Sequence, residues 1–505
     1  MSGGLLANSR AFELDSIAAY LEITAEGRVL IHSGKVELGT GVATALCQIV
    51  AAEFGVPVSQ VQIEMGDTGR TPDQGTTAGS KTLQVAGEHL RRVASGARAE
   101  LLERASERLE VAVDDLVIRD GRVVPVDGSR DGLGLGDLAV EPFRGRVPDS
   151  IAFVIGPPVG ESVPRVDLVA KLTGGAAYIH DLRVPGMLHA RVIRQHVRTM
   201  QGSGRIETID DAAARAIPGV VAIVRRGDFL AVVAEREEQA NLAALAMRVT
   251  WQEAPPLPAI DDLHKAMRAA PAEETEPLHR GDVPAALGDA SRVVSATYRF
   301  PMQAHASLGP SCAVADVGDG EATIWCSSQG VYGLRDAIAP LLGMESSRIR
   351  MVFREGAGCY GHNGADDVAA DAALISQAVG RPVRLQWSRQ DEFAWEPKGP
   401  AMLIEMRAGV GASGEVVAWE HEVWTSTHST RPGGPTRQSP GRAAGGPSDA
   451  RGGDALGRGQ SQRQHHLRIS ERAGADALAF RKPPPAIGHA QPGRAPQHHG
   501  QRDVP

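Results

Sequence analysis

Residues 34–80 read GKVELGTGVATALCQIVAAEFGVPVSQVQIEMGDTGRTPDQGTTAGS. A Gly-rich turn, Gly39-Thr40-Gly41, opens the stretch Val42–Phe54, whose apolar residues recur at helical spacing and stop at Gly55, a residue suited to a helix C-cap. Val61–Met65 follows as a short strand, and a second turn of small residues, Thr77-Ala78-Gly79-Ser80, closes the run. Glycines and hydroxyls at the mouths of helices leave backbone N–H groups open to an anion. The pattern therefore suits a phosphate-bearing or pterin-bearing ligand.

On the N-terminal side, residues 21–24 and 28–32 flank Ala25-Glu26-Gly27 and predict a β-hairpin. On the C-terminal side, residues 82–109 predict a long amphipathic helical region with Leu83, Leu90, Val93, Leu101 and Leu102 in the core. A further hairpin is expected around Asp120-Gly121. Residues 128–165, rich in Gly, Pro and Asp, read as a linker. Short strands alternating with helices over 166–255 predict a small α/β domain. Residues 256–434 begin with a charged connector and then run strand, helix, strand, Gly-rich loop, helix: ATIWCSSQ, GLRDAIAPLLG, RIRMVFRE, GAGCYGHNG, ADDVAADAALISQAVG. The fold class expected is α+β, with mixed α/β segments.

Bulk properties exclude several functions. The 505 residues are enough for two to four domains. With 42% hydrophobic but only 4% aromatic residues, the core must rest on Ala, Val, Leu and Ile. A net charge of −8 argues against a nucleic-acid or anionic-membrane partner. No apolar run approaches the ~18 residues of a membrane span, and the opening MSGGLLANSR lacks the form of an export signal, so a cytoplasmic location is expected. The four cysteines, Cys47, Cys312, Cys326 and Cys359, are scattered without a C-x-x-C pair. That spacing excludes an iron–sulfur cluster or structural zinc held by this chain alone. The first three read as small buried residues.

The motifs resemble the molybdopterin-binding large subunit of the xanthine dehydrogenase and aldehyde oxidase family. Cys326-Ser327-Ser328-Gln329 ends a strand where the family has a Gln that bonds an oxo ligand of the metal; Gln329 matches it. Gly356-Ala357-Gly358-Cys359-Tyr360-Gly361 stands where the family has a Gly-Gly-Phe-Gly loop, with Tyr360 in the aromatic position beside the substrate. Thr77-Ala78-Gly79-Ser80 matches a turn that lies against the metal and the pterin, and residues 171–189, ending PGMLH, resemble the family's hammerhead-like α/β domain. Gly39-Thr40-Gly41 departs from the usual Gly-Gln-Gly, and Gly309 stands before Pro310 where many members have Glu. Because the 34–80 segment precedes the α/β domain, the order resembles the isoquinoline 1-oxidoreductase and nicotinate dehydrogenase large-subunit branch.

The resemblance implies a molybdenum hydroxylase that oxidises an N-heteroaromatic compound or an aldehyde, with water as oxygen source. The implied cofactor is molybdopterin, in its cytosine dinucleotide form, with molybdenum held through the pterin. Electrons would pass to a separate [2Fe–2S] subunit. The implied cofactor-binding residues are Gly39, Thr40, Gly41, Thr77, Ala78, Gly79, Ser80, Gln329, Gly358, Cys359, Tyr360 and Gly361, with no side-chain metal ligand. It divides residues 1–127 and 256–434 into cofactor-binding segments on either side of the linker and the hammerhead-like domain. Two other readings stay open: a non-catalytic fragment without cofactor, and a nucleotide-phosphate module. The last lacks both a G-x-x-x-x-G-K-[ST] and a Rossmann fingerprint.

From Pro435 onward Arg, Gly, Pro, Gln, Ala and His dominate, and Phe480 is the sole aromatic residue. Such a composition buries too little apolar surface to offset chain entropy, so residues 435–505 are expected to be disordered. A natural tail would explain this, and so would a reading-frame shift near Pro435. Reverse translation favours the shift: one nucleotide forward, residues 437–442, 457–464 and 489–499 can encode Gly-Asn-Leu-Leu-Ala-Gly, Gly-Gly-Gly-Asn-Arg-Asn-Ala and Met-Arg-Ser-Leu-Gly-Ala-His-Leu-Asn-Ile. The resemblance places these strings, in this order, in the family's C-terminal part, together with its catalytic Glu. No general base is therefore assigned within the chain, and the chain as written is expected to be inactive.

Overall fold

The computed structural model describes residues 14–151, 156–175, 177–196, 204–253, 263–426 and 464–472. Two compact units emerge: Met1–Leu263 with Pro301–Ala401 and Ser426–Arg463, and His264–Phe300 with Met402–Thr425 and Gln464–Pro505.

Among the described residues, the first unit has two large cores and two smaller apolar clusters. In the N-terminal one, Leu21–Ile23, Val29–Ser33 and Val61–Met65 form a three-stranded sheet, with the first two antiparallel and the last two parallel. The predicted helix is observed as Val42–Phe54, ending at Gly55 in the left-handed conformation (φ +60°). It packs with Glu88–Leu109 around Leu46, Phe54, Leu90, Val93 and Leu101. Leu83 departs from expectation and is exposed. A π turn over Leu83–Gly87 precedes the α-helix. Its wider winding breaks the 3.6-residue register on which the expectation rested. The hairpin around Asp120-Gly121 is present as Leu116–Arg119 and Arg122–Pro125.

The stretch 128–165 is more than a linker. Leu133–Gly134 adds a third strand to that hairpin, and Leu135, Leu138 and Phe143 are buried in the N-terminal core. Three well-placed apolar residues suffice to dock a segment that composition marks as a loop.

A seven-stranded sheet organises the second core, in the order Ile349–Phe353, Glu321–Cys326, Cys312–Gly318, Val383–Gln386, Leu188–Val192, Phe229–Ala234, Val220–Arg226. The helices Val331–Leu342 and Ala365–Val379 supply its apolar cover. Residues 166–255 are therefore not closed on themselves. Leu188–Val192 pairs in parallel with Val383–Gln386, Leu188 opposite Val383, and one sheet spans both segments.

In the second unit, Ala272–Arg280, Gln464–Arg472, Val416–Ser426, Met402–Val410 and Arg292–Phe300 form a five-stranded sheet in that order. Val283, Ala286 and Leu287 of the helix Val283–Gly288 pack on Ala418. Gln464–Arg472 corrects the expectation of a wholly disordered C-terminal stretch, since it pairs in parallel with Ala272–Arg280. A backbone ladder requires no apolar core of its own. The rest of 435–505 lies outside the described residues.

Candidate functional site

The loops that leave the strands of the first unit meet at Gln329. Its backbone carbonyl accepts from Thr77 N at 2.9 Å, and its side-chain Nε2 donates to Thr77 O at 2.8 Å. Cys359 Sγ donates to its Oε1 at 3.1 Å. Thr77 in turn accepts Val36 N on its Oγ1 at 3.0 Å. Three segments distant in sequence are thus clasped by one buried amide. The approach is tight: a Cβ at Gly330 would lie 2.9 Å from Thr76 Oγ1, and one at Gly356 2.9 Å from Ser327 Oγ.

The Gly-rich loop is held in conformations only glycine adopts readily. Gly358 has φ +112° and Gly361 φ +124°. Asn363 Nδ2 donates to Gly358 O at 3.1 Å, while its Oδ1 accepts Ala365 N at the start of the helix Ala365–Val379. Tyr360, at φ +54°, projects its ring into solvent. Ala78, Gly79 and Ser80 are exposed beyond Thr77. A Cβ at Gly79 would meet only the flexible side chain of Lys81, at 3.8 Å. Gly79 and Ser80 thus follow the clasp but take no part in it.

Gly39, Thr40 and Gly41 join this region differently from the expectation. The mouth of the Val42–Phe54 helix already holds an anion, the chain's own Glu37. Its buried carboxylate accepts Gly41 N and Ala43 N, each at 2.9 Å. These are donors that the sequence pattern leaves open to a ligand. Arg165 reaches Gly39 O at 3.0 Å and lies 3.8 Å from Glu37. It also grips Asp167, which bonds Lys171, and Lys171 pairs with Glu355 at 2.5 Å. A chain of charges therefore links the helix mouth to the residue preceding Gly356.

The Arg165 hydrogen bonds, aided by Lys171, hold the Asp167 carboxyl down at about 2. Burial pushes the Glu355 carboxyl up, against the pull of Lys171. Burial also lowers the Lys35 ammonium, whose Nζ donates to Gly75 O and Thr76 O at 3.3 and 3.0 Å. Sequence reading missed Lys35, Glu37, Arg165, Asp167, Lys171 and Glu355. One signal was available: in Lys35-Val36-Glu37-Leu38, charges alternate with apolar residues, the pattern of an extended segment with one face turned inward.

Cys47, Cys312 and Cys326 are buried as expected, and burial pushes the Cys47 and Cys326 thiols up to about 12. Among the described residues no group of three or more His, Cys, Asp or Glu is arranged to hold a metal ion. No described helix is long and apolar enough to cross a membrane.

The Gln329 amide is buried and bonded through both Nε2 and Oε1, so the surface left open here to a flat, polar ring system is the exposed crest of the Gly-rich loop at Tyr360. At the Gly39–Gly41 turn, Gly41 N and Ala43 N do not offer the same fit, because Glu37 takes them.

Two molybdopterin cofactor-binding domain models match the chain, over residues 266–438 and 4–151. A nicotinate dehydrogenase subunit of Pseudomonas putida is 40% identical over 426 residues, covering 80% of this chain and 35% of that protein. The beta subunit of isoquinoline 1-oxidoreductase from Brevundimonas diminuta is 27% identical, covering 80% of this chain and 59% of that protein. The chain thus spans less than two thirds of either relative. The aldehyde oxidoreductase structure from Desulfovibrio gigas overlaps 69% of this chain and 38% of its own, at 21% identity and a TM-score of 0.44, a partial likeness.

Proposed function

The chain belongs to the xanthine dehydrogenase and aldehyde oxidase family of molybdopterin-binding large subunits, and we propose that it is the cofactor-binding part of a molybdenum hydroxylase acting on an N-heteroaromatic compound or an aldehyde. The observation that carries this reading is the clasp of Thr77, Gln329 and Cys359. It brings three family motifs from remote parts of the sequence to one place.

In this reading molybdopterin, in its cytosine dinucleotide form, supplies the redox chemistry when bound. Gln329 holds the Thr77 and Cys359 segments in fixed positions beside the group, through its Nε2 bond to Thr77 O and its Oε1 bond from Cys359. Gly358 and Gly361 let the backbone approach closely. Tyr360 offers its ring to the substrate. Electrons leave through a [2Fe–2S] subunit of the same cytoplasmic complex.

The carboxylates of this region have other tasks. Glu37 caps a helix, Glu355 pairs with Lys171, and Glu392 and Glu396 hold a loop. None is assigned as the general base. We infer that this group belongs to sequence that a reading-frame shift near Pro435 would have replaced; in support, the cofactor-binding domain match that begins at residue 266 stops at residue 438.

The test is expression in a host that makes molybdopterin, with an iron–sulfur partner, of this chain and of a frame-restored version. Only the frame-restored protein is expected to turn over, since a general base contributes roughly 10²–10⁴-fold. Equal turnover by the two would defeat the assignment. Gln329→Ala should lower molybdenum retained after gel filtration by about 5- to 150-fold, the loss that follows when a buried hydrogen-bonding group worth ~1–3 kcal/mol is removed. Unchanged retention would remove Gln329 from the site.

A further inference from the structure

Two wholly buried carboxylates, Glu392 and Glu396, have no part in the chemistry above. Glu392 lies in the first turn of the short helix Arg389–Trp395, and Glu396 is its C-cap. Glu392 Oε2 accepts Ser311 N at 2.8 Å, and its Oε1 accepts Ser311 Oγ at 3.0 Å. Ser307 Oγ also reaches Oε1, at 3.4 Å. Glu396 Oε2 accepts Ala306 N at 3.0 Å, and Lys398 Nζ stands 3.3 Å from Oε1. Arg389 completes the grip from the other sign of charge, donating to Ser307 O at 2.9 Å and Leu308 O at 2.7 Å. His305 Nδ1 meets Pro397 O at 2.9 Å.

In the loop of residues 303–311, four backbone groups, Ala306 N, Ser307 O, Leu308 O and Ser311 N, are therefore satisfied by side chains of a single neighbouring segment, beside a Gln303–Gly399 bridge and a His180 bond to Pro310 O. A loop without its own ladder or turn bonds would otherwise sample many conformations. Ala306 is held at φ +46°, a conformation an alanine adopts only when its surroundings impose it.

The held loop in turn bears on the Gly-rich loop. Gly309 N donates to Ala357 O at 3.2 Å. A Cβ at Gly361 would lie 3.1 Å from the His305 ring, and one at Gly309 would lie 2.9 Å from the Ala357 methyl. Each of the two joined loops raises one large apolar side chain into solvent, Leu308 at 79% and Tyr360 at 66% exposure. Exposure of this kind on a restrained backbone suits contact with an apolar ring.

We propose that Glu392, Glu396 and Arg389 are positioning residues: a buried latch that fixes loop 303–311 against the Gly-rich loop and so sets the apolar lip, Leu308 and Tyr360, over which substrate passes. The lip's part in substrate entry rests on the molybdenum hydroxylase reading; the latch itself does not. Burial pushes the Glu392 carboxyl up, Glu396 adds to the push, and the bonds from Ser311 and Ser307 oppose it. Glutamine at 392 can keep the Ser311 N–H bond and offer its own amide N–H to the Ser311 hydroxyl, without a charge beside Glu396.

The experiment is hydrogen exchange read by mass spectrometry on the full chain. Glu392→Ala should speed exchange by about tenfold or more in peptides covering both 304–311 and 356–361, with residues 220–234 unchanged, as expected for local opening. Glu392→Gln should stay close to the parent protein. If Glu392→Ala does not fold, Arg389→Met provides the same comparison. In the frame-restored holoenzyme with its partner, Arg389→Met should raise KM with little change in kcat. The proposal is overturned if 356–361 does not respond, if Glu392→Gln is as damaging as Glu392→Ala, or if kcat falls with KM unchanged. Failure of the cofactor reading shows separately, as absence of retained molybdenum in the frame-restored parent protein, and leaves the exchange result intact.

Discussion

Gly358 shows how one residue can set a site. Its φ of +112° is closed to other residues without strain, and an added methyl carbon would come within 2.8 Å of the Tyr360 ring. Gly358→Ala should destabilise the chain by about 1–3 kcal/mol, the range for a residue forced into a sparsely populated conformation, and should displace Tyr360. Thermal unfolding and Tyr fluorescence would check it; an unchanged midpoint would contradict it. Asp167 makes a different prediction. Its carboxyl is held near 2, below its ordinary value, chiefly by Arg165. Its folded-state pKa is depressed, so its contribution to stability is present above the unfolded pKa of roughly 3.9 and is lost as pH falls through about 2. Asp167→Asn should abolish that part of the acid limb, and a pH series of unfolding midpoints would show whether the parent and variant converge near pH 2.

At the scale of elements, the Val42–Phe54 helix was legible from apolar spacing and from Gly55, because both signals are local. Its N-terminal cap was not. Glu37 lies four residues before Gly41, outside the usual capping position, yet it supplies both acceptor oxygens. Glu37→Ala should cost about 0.5–2 kcal/mol, the range for losing a helix cap, while Glu37→Gln, which keeps one acceptor, should cost less. Chemical denaturation of the pair measures this, and equal losses would show that the carboxylate's reach to two N–H groups is unimportant. The π turn over Leu83–Gly87 limited prediction in the same way. A helical register read from sequence assumes one winding throughout, so Leu83 was placed on the wrong side.

At the scale of the whole molecule, the seven-stranded sheet makes residues 166–255 dependent on residues 312–386. Removing the latter exposes the edge of Leu188–Val192 that pairs with Val383–Gln386. An isolated 166–255 fragment should lack a cooperative unfolding transition and should aggregate through that edge; a sharp, reversible transition in the fragment would refute this. The sequence by itself determined the helices and strands of the N-terminal part, the α+β class, the burial of Cys47, Cys312 and Cys326, and the family. Each rests on residues close together in the chain or on motifs whose chemistry is carried by a few side chains in order. The tertiary structure alone decided that Gln329 is clasped by Thr77 and Cys359, that Glu37 fills the helix mouth, that Glu392 and Glu396 bond to a loop 81 to 90 residues earlier, and that Gln464–Arg472 joins a sheet. The physical reason is common to the first three. A buried hydrogen-bonding group must find a partner, but any donor or acceptor of suitable geometry will serve, so its identity is fixed by the packing of distant segments and leaves no spacing in the sequence to read.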